Sequence, residues 1–235
     1  MPTFTLASFN ICSAHFREGH YTEENLNRLA EQITQSGADV VCLQEVDRGA
    51  ARSDRVDMPA YLSEHTELKH HYFIKIRDFQ GGEYGTAILS RYPIPESETI
   101  NYSVHIATQG TSCGYAVLDV DGTKVTVFNT HLSVENEESN TETLSCLGDV
   151  LTAYYRAHPE GFVCCGDFNT DPGKVSRYIP WVKKAHDGLV TYADRSIDHI
   201  LTAGKVTTAN TRTRNTQKDK VTDHNMVLTE VTIGE

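Results

Sequence analysis

Short apolar runs that close on a polar residue recur along this 235-residue chain, and they restrict its fold more than any other feature. Thr3 to Asn10 alternates in the manner of a strand and delivers Asn10 at its end, while Asp39-Val40-Val41-Cys42-Leu43-Gln44-Glu45 is a buried strand with Glu45 at its tip. Lys124 to Thr130 runs into His131, and Phe162-Val163-Cys164-Cys165 runs into Asp167 with Asn169 two residues on. Ser196-Ile197-Asp198-His199-Ile200-Leu201 repeats the design, and Thr222-Asp223-His224 precedes a closing strand from Met226 to Ile233. A single strand-end carboxylate or amide is usually a turn cap. A set consisting of Asn10, Glu45, His131, Asp167, Asn169, Asp198, Asp223 and His224 is different, because strand tips on one side of a sheet converge on a cleft.

The intervening segments supply the other elements. Thr22 is an N-cap followed by Glu23 and Glu24, Tyr21 is placed to staple against Leu26, and Leu26, Leu29, Ala30 and Ile33 recur at helical spacing until Gly37. The spacing predicts a helix over 22–36, and Leu144, Leu147, Leu151 and Tyr155 predict another over 140–157. Tyr84 to Ser90 is a strand ended by Arg91-Tyr92-Pro93. Asp121-Gly122 between Val117–Val120 and Lys124–Thr130 is a hairpin signal, which makes those strands antiparallel neighbours. Helices and strands joined by hairpins and crossovers give an α+β or mixed α/β class, and with no linker-like stretch residues 1–235 are expected to form a single domain.

Bulk properties bound the function. No apolar run approaches the roughly 20 residues of a transmembrane segment, and the N-terminus lacks the pattern of a signal peptide, so a cytoplasmic location is expected. Cys12, Cys42, Cys113, Cys146, Cys164 and Cys165 are scattered without zinc-site spacing and are read as reduced thiols. A formal net charge of −11 weakens attraction to polyanions and disfavours a nucleic-acid partner, without excluding a charged ligand held through a metal.

The residue types suit phosphoester hydrolysis. Mg²⁺ prefers carboxylate oxygen and keeps several waters, so Glu45 and Asp223 suffice as acidic ligands. Asp167 beside a water can orient it and take its proton. Imidazoles can set a proton or a positive charge against phosphoryl oxygens, and Asn10 and Asn169 can donate to the same oxygens without adding negative charge. Zinc is the less favoured ion, since the histidines lack the spacing of a zinc motif.

Taken in order, Ser8-Phe9-Asn10-Ile11, Leu43-Gln44-Glu45-Val46, Asn129-Thr130-His131-Leu132, Gly166-Asp167-Phe168-Asn169 and Thr222-Asp223-His224 resemble the motifs of the endonuclease/exonuclease/phosphatase superfamily, which includes deoxyribonuclease I, apurinic endonucleases, neutral sphingomyelinases and inositol polyphosphate phosphatases. The resemblance runs from about residue 4 to residue 230. It implies a deoxyribonuclease I-like α/β fold: a four-layered α/β sandwich of two packed mixed β-sheets with helices on the outer faces. It also implies that Glu45 is the principal ligand of Mg²⁺, with Mn²⁺ the alternative ion, and that Asn10 and Asp223 lie on the metal or its waters. Asp167 would activate the water, Asn169 would steady the phosphate, and His131 would serve the phosphoryl or leaving oxygens. His224 would contact the phosphate or share the proton transfer, with Asp198 fixing its tautomer.

The stretch Glu45-Val46-Asp47-Arg48 through Arg52-Ser53, then Gly81-Gly82-Glu83-Tyr84-Gly85, is similar to small bacterial hydrolases of that family. Nuclease members commonly carry an arginine on the strand before the hairpin, where this chain has Cys113-Gly114-Tyr115. The expected substrate is therefore a small-molecule or lipid-derived phosphoester, handled by a phosphatase or phosphodiesterase. A metal-dependent nuclease is the alternative, and a noncatalytic binding protein with this fold the third reading.

Weaker signals leave choices open. Arg48, Arg52 and Arg55 either face a substrate phosphate or pair with Asp47, Asp54 and Asp57, and Tyr84 is a candidate substrate contact. Thr211-Arg212-Thr213-Arg214 with Lys218 and Lys220 reads as a solvated loop. The acidic stretch Glu135 to Glu142 also reads as solvated charge, which would repel a long polyanion if it rimmed the cleft. His199, adjacent to Asp198 in a strand, is read as structural.

Overall fold

In the computed structural model, which describes residues 1–15, 19–102, 105, 107 and 111–234, the N-terminal alternating run is strand β1 (Thr3–Asn10) and the run ending at Glu45 lies within β2 (Val40–Arg48). Between them helix α1 (Glu23–Ser36) starts where Thr22 Oγ1 accepts from Asn25 N and stops at Gly37, whose φ of +69° few other residues tolerate. The chain continues through α2 (Met58–Glu64), β3 (His70–Phe79), β4 (Gly82–Ser90), β5 (Glu96–Asn101), β6 (Ser112–Val120) and β7 (Thr123–His131). It then forms α3 (Glu137–Ala157), β8 (Gly161–Asp167), α4 (Pro172–Tyr178), the short β9 (Lys183–Lys184), β10 (Asp198–Gly204), β11 (Val206–Arg214) and β12 (Met226–Ile233). The expected hairpin joins β6 to β7, with Asp121 and Gly122 both at positive φ and Val120 opposite Thr123.

Two segments depart from the sequence reading. The acidic stretch Glu135–Glu142 is not a loop throughout, because α3 begins at Glu137. Asn136 and Ser139 form a capping box there, and Glu137 and Glu138 complement the helix N-terminus. Thr211 to Arg214 belongs to strand β11, paired with β12 after an irregularity between Ala209 and Arg212. Polar composition concealed this strand because one of its faces meets solvent.

The strands form two six-stranded sheets, ordered β11-β12-β1-β2-β4-β3 and β5-β6-β7-β8-β10-β9. The sheets pack face to face through an apolar layer that includes Leu6, Val40, Cys42, Ile88 and Val227 from the first and Leu118, Val127, Val163, Cys165 and Ile200 from the second. Helices α1 and α2 cover the outer face of the first sheet through Leu26, Leu29, Ile33, Met58 and Leu62. Helices α3 and α4 cover the second through Leu144, Leu147, Leu151 and Val175 packed against Phe128 and Phe162. The result is the four-layered α/β sandwich expected. All six cysteines are free thiols, with Cys42, Cys113, Cys164 and Cys165 buried. Among the described residues no helix is long and apolar enough to cross a membrane.

Each sheet has a parallel pair at its centre, β1 with β2 and β7 with β8. The two strands of such a pair end on the same side. Asn10 lies opposite Gln44, and His131 opposite Asp167. Asp198 opens the antiparallel β10 directly opposite Asp167, and residues 222–224 precede β12, which runs antiparallel to β1. Topology alone thus gathers the polar strand ends at one edge of the sandwich.

Candidate active site

Strand alternation decides which of these side chains turn inward. Leu6, Val127, Val163 and Ile200 face the layer between the sheets, so Asn10, Asn129, His131, Asp167 and Asp198, an even number of residues away, face it too. The inter-sheet layer is apolar through its middle and becomes polar where these strands end.

Glu45 reaches the site by another route. Val41 and Leu43 face the helices of the outer layer, and strict alternation would send Glu45 among them. The pairing shifts between Leu43–Ala87 and Val46–Gly85, so β2 carries one extra residue, Glu45 takes φ +54°, and Val46 occupies the apolar position instead. Asn129 sustains this bulge. Its Nδ2 donates to Leu43 O and Ala87 O, both at 2.9 Å, and its Oδ1 accepts from Gln44 Nε2 at 2.8 Å. Ser13 Oγ donates to Glu45 O at 2.9 Å.

Asp167 is placed by the glycine before it. A Cβ on Gly166 would lie 2.0 Å from Thr130 O, so only glycine lets β8 approach β7 closely at this point. Beyond the strand Asn169 turns back at φ +51°. Its N donates to Asp167 Oδ1 at 2.9 Å and its Nδ2 to Leu132 O at 3.0 Å.

The assembled group is tightly connected. Asn10 Nδ2 donates to Glu45 Oε1 and to Asp167 Oδ2, each at 3.1 Å. Asp167 Oδ2 also lies 3.7 Å from His131 Nε2 and 3.6 Å from His224 Nε2. His224 Nδ1 meets Asp198 Oδ2 at 2.9 Å, and its ring packs 4.9 Å from that of Tyr192. Thr222 Oγ1 donates to Asn10 O at 2.8 Å, which ties the 222–224 segment to the end of β1. Asp223 stands at the opening with its side chain 35% exposed and Oδ1 4.0 Å from His224 Nε2.

Electrostatics follow from this crowding of carboxylates. Burial lowers the affinity of His224 for a proton, but Asp198, Asp167 and Asp223 outweigh it, and its pKa is pushed up to about 9. Burial and Asp167 push the Asp198 carboxyl upward while His224 pulls it down. A charged Asp198 facing an imidazolium is the direction the 2.9 Å contact supports. Cys12, beside Glu45 and Asp223, is pushed up to about 12 by burial and then by those two carboxylates, so it stays a neutral thiol.

These surroundings fit a hard divalent cation. Glu45 and Asp223 offer carboxylate oxygens, the neighbouring sulfur is protonated, and the carboxylates leave an excess of negative charge for a cation to balance, while Asn10 turns its Nδ2 to Glu45 and its Oδ1 to Cys12 N at 3.0 Å. Asp167, Asp198 and His224 also lie close enough to share an ion. The 2.9 Å hydrogen bond between His224 and Asp198, with Asp167 3.6 Å from the other ring nitrogen, equally suits them to hold a proton.

A cleft beside the group is lined by Glu45, Tyr84, His131, Ser133 and Glu135, with Ile76 and Arg77 from β3. Burial of Tyr84, reinforced by Glu45, holds its hydroxyl pKa well above 10. Arg52 is taken up by Asp47, with Nε and Nη2 each 2.8 Å from a carboxylate oxygen and Nη2 2.9 Å from Ser13 Oγ. Arg48 lies elsewhere, paired with Glu83 and stacked 4.2 Å over Phe73. His199 is buried with Nε2 2.8 Å from Thr170 O. Sequence reasoning gave Asn129, quoted only within the motif around His131, no role of its own and passed over Arg77. The first shares the alternation phase of His131, which is a usable signal, whereas the second gave none.

The sequence profile of the Endonuclease/Exonuclease/phosphatase family matches residues 7–224. Among solved structures, an endonuclease/exonuclease/phosphatase from Beutenbergia cavernae DSM 12333 superimposes with a TM-score of 0.79 at 20% identity, covering 100% of this chain and 72% of that one. The mannosyl-6-phosphatase Bt3783 of Bacteroides thetaiotaomicron VPI-5482 gives 0.75 at 15% identity, covering 97% and 99%. Truncated TDP2 of Caenorhabditis elegans gives 0.71 at 18% identity, covering 97% of each chain. No curated protein matches in sequence.

Proposed function

Because the chain belongs to the endonuclease/exonuclease/phosphatase family, whose named activities all hydrolyse phosphoester bonds, we propose that it is a Mg²⁺-dependent phosphatase or phosphodiesterase acting on a small or lipid-derived phosphoester. The observation that carries this reading is the position of Asp167, which one amide of Asn10 joins to Glu45 and which two imidazoles, His131 and His224, approach within 3.7 Å.

Glu45 is the principal residue to hold the ion, with Asn10 and Asp223 on the ion or its waters. When bound, the ion would offset charge building on the phosphoryl oxygens and acidify water. Asp167 orients the attacking water and receives its proton. His224, kept protonated by Asp198, holds a proton at Nε2 against the phosphoryl group, and His131 serves the phosphoryl or leaving oxygen. Asn169 steadies the phosphate with the amide hydrogen that Leu132 O does not take. Tyr84 and, behind it, Arg52 form the substrate-side wall. Arg48, paired with Glu83, stands back from this wall.

A compact substrate is favoured by the formal charge of −11 and by Glu135 at the rim of the cleft. A sugar phosphate, the substrate class in the name of the Bacteroides phosphatase, is of this kind. The test is a panel of phosphomonoesters, phosphodiesters, inositol phosphates, phospholipids, DNA and RNA with Mg²⁺, Mn²⁺ or EDTA, alongside Glu45→Gln. Metal-dependent turnover of a small ester, lost in the variant, supports the proposal. Cleavage of nucleic acid alone replaces it with a nuclease, and turnover that persists in EDTA or in Glu45→Gln removes the metal assignment.

A further inference from the structure

Arg77 lies on β3, a strand that contributes none of the residues assigned above, yet its side chain lines the cleft with Glu45 and His131. Alternation does not predict this. Tyr72 and Ile74 face the layer between the sheets and Phe73 faces the outer helices, so an undisturbed strand would send Arg77 outward with Phe73. Opposite β4 the register runs Lys75 to Gly85 and then Arg77 to Tyr84, which leaves Ile76 as an extra residue. The bulge re-aims the strand, and Ile76 and Arg77 both reach the cleft.

Two glycines permit that bulge where it stands. A Cβ on Gly85 would lie 2.0 Å from Ile74 O, and one on Gly114 would lie 2.6 Å from Ile74 Cγ1. Ser112 Oγ then donates to Lys75 O at 3.1 Å, fastening β3 to the start of β6. Residues 112–114 of β6 carry no cation, and the neighbouring strand brings one to the same mouth.

The guanidinium is also held in orientation. Arg77 Cζ lies 5.1 Å from the ring centroids of both Phe79 and Tyr84, and Arg52 Cζ lies 4.5 and 5.6 Å from the same two rings. Arg52 is neutralised by Asp47, and of the two it is Arg77 that lines the cleft. Among the described lining residues Arg77 is the one lysine or arginine, set against the carboxylates of Glu45 and Glu135. An anion entering beside two carboxylates needs such a counter-charge, and a planar guanidinium matches two oxygens of one phosphoryl group.

Resting on the phosphoesterase reading, we propose that Arg77 binds the nonbridging oxygens of the substrate phosphoryl group, from β3, and is a specificity-determining contact of this chain.

The experiment measures inorganic phosphate binding by calorimetry in the presence of Mg²⁺ for wild type, Arg77→Gln and Arg77→Lys, with thermal melting as the control for folding. The substitutions lie on a half-exposed edge strand and are expected to leave the melt unchanged. Phosphate affinity should fall about tenfold to a hundredfold in Arg77→Gln, the usual effect of losing a charge-assisted contact, and less in Arg77→Lys. On any ester the protein turns over, KM should rise more than kcat falls. Wild-type affinity in Arg77→Gln, or no phosphate binding by wild type, overturns the assignment of Arg77. Binding that depends on Arg77 without hydrolysis of any panel substrate would instead overturn the proposed function and leave this contact standing.

Discussion

His224 Nδ1 lies 2.9 Å from Asp198 Oδ2, and both groups are buried. The carboxylate can accept only if Nδ1 carries a proton, so Asp198 fixes which imidazole nitrogen faces Asp167. Asp198→Asn keeps the shape and removes the charge. Turnover is expected to fall about tenfold to a hundredfold, the usual effect of losing a carboxylate behind a functional histidine. In metal-free protein the His224 pKa should drop from about 9 toward the ordinary histidine value, because the first carboxylate that raises it is gone. Imidazole titration by NMR checks this. A pKa still near 9 in the variant would mean that Asp167 and Asp223 alone hold the proton.

Glu45→Gln leaves the hydrogen bond from Asn10 available, since an amide oxygen also accepts, and takes away the anionic charge. Mg²⁺ or Mn²⁺ should raise the wild-type melting temperature by binding the folded state and should leave the variant unmoved, while hydrolysis falls at least about a hundredfold. Without metal the variant should melt no lower than wild type, because it relieves repulsion among Glu45, Asp223 and Asp167. An equal metal-induced shift in both proteins would place the ion elsewhere, with Asp167, Asp198 and His224 the next candidates.

Much of this arrangement was legible in the sequence because alternation and polar strand ends are local. Phe9-Asn10 and Gly166-Asp167 mark strand tips without knowledge of the partner strands. Helix α1 and the Asp121-Gly122 hairpin were equally plain, since cap and turn residues act within four positions. What escaped depends on pairing. The extra residues in β2 and β3, which free Glu45 from the apolar layer and turn Arg77 inward, exist only relative to β4. Arg48 and Arg52 illustrate the same limit. Adjacent acidic residues made pairing plausible, but the choice of Glu83 for Arg48 is set by how β2 lies against β4, and that of Asp47 for Arg52 by the turn at 51–53 that folds back on β2. The start of α3 was masked by reading Glu137 and Glu138 as loop charge instead of helix N-terminal charge.

Asn129 offers a stability test of the β2 bulge. Its side chain satisfies Leu43 O, Ala87 O and Gln44 Nε2, all buried. Asn129→Leu is close in size and takes the amide donor away from Leu43 O and Ala87 O together, while Gln44 Nε2 keeps Cys42 O at 3.1 Å, so the cost should be at least about 2 kcal/mol in urea unfolding. Because the bulge presents Glu45, metal affinity should weaken along with stability. A variant that loses stability and keeps wild-type metal affinity would show that the backbone holds the bulge without Asn129.

His199 gives a pH dependence of known sign. Burial holds it neutral and lowers its pKa from 6.5 to about 4, with His186 and Lys184 adding to the effect and the contact to Thr170 O and the charge of Asp167 opposing it. Its folded pKa is therefore below the unfolded one. Between these values the unfolded chain binds the proton and the folded chain does not, so stability is full above pH 6.5 and is lost as pH falls toward 4. By pH 5 this group should remove about 2 kcal/mol relative to pH 7.5. His199→Gln retains an amide donor for Thr170 O and cannot titrate. Chemical denaturation of both proteins at the two pH values isolates the term, because the carboxylates that also titrate are common to both. The variant should lose about 2 kcal/mol less than wild type on acidification. Equal losses would mean that His199 takes up its proton in the folded state near its ordinary pKa, and that the strand carrying Asp198 opens to water more readily than its burial indicates.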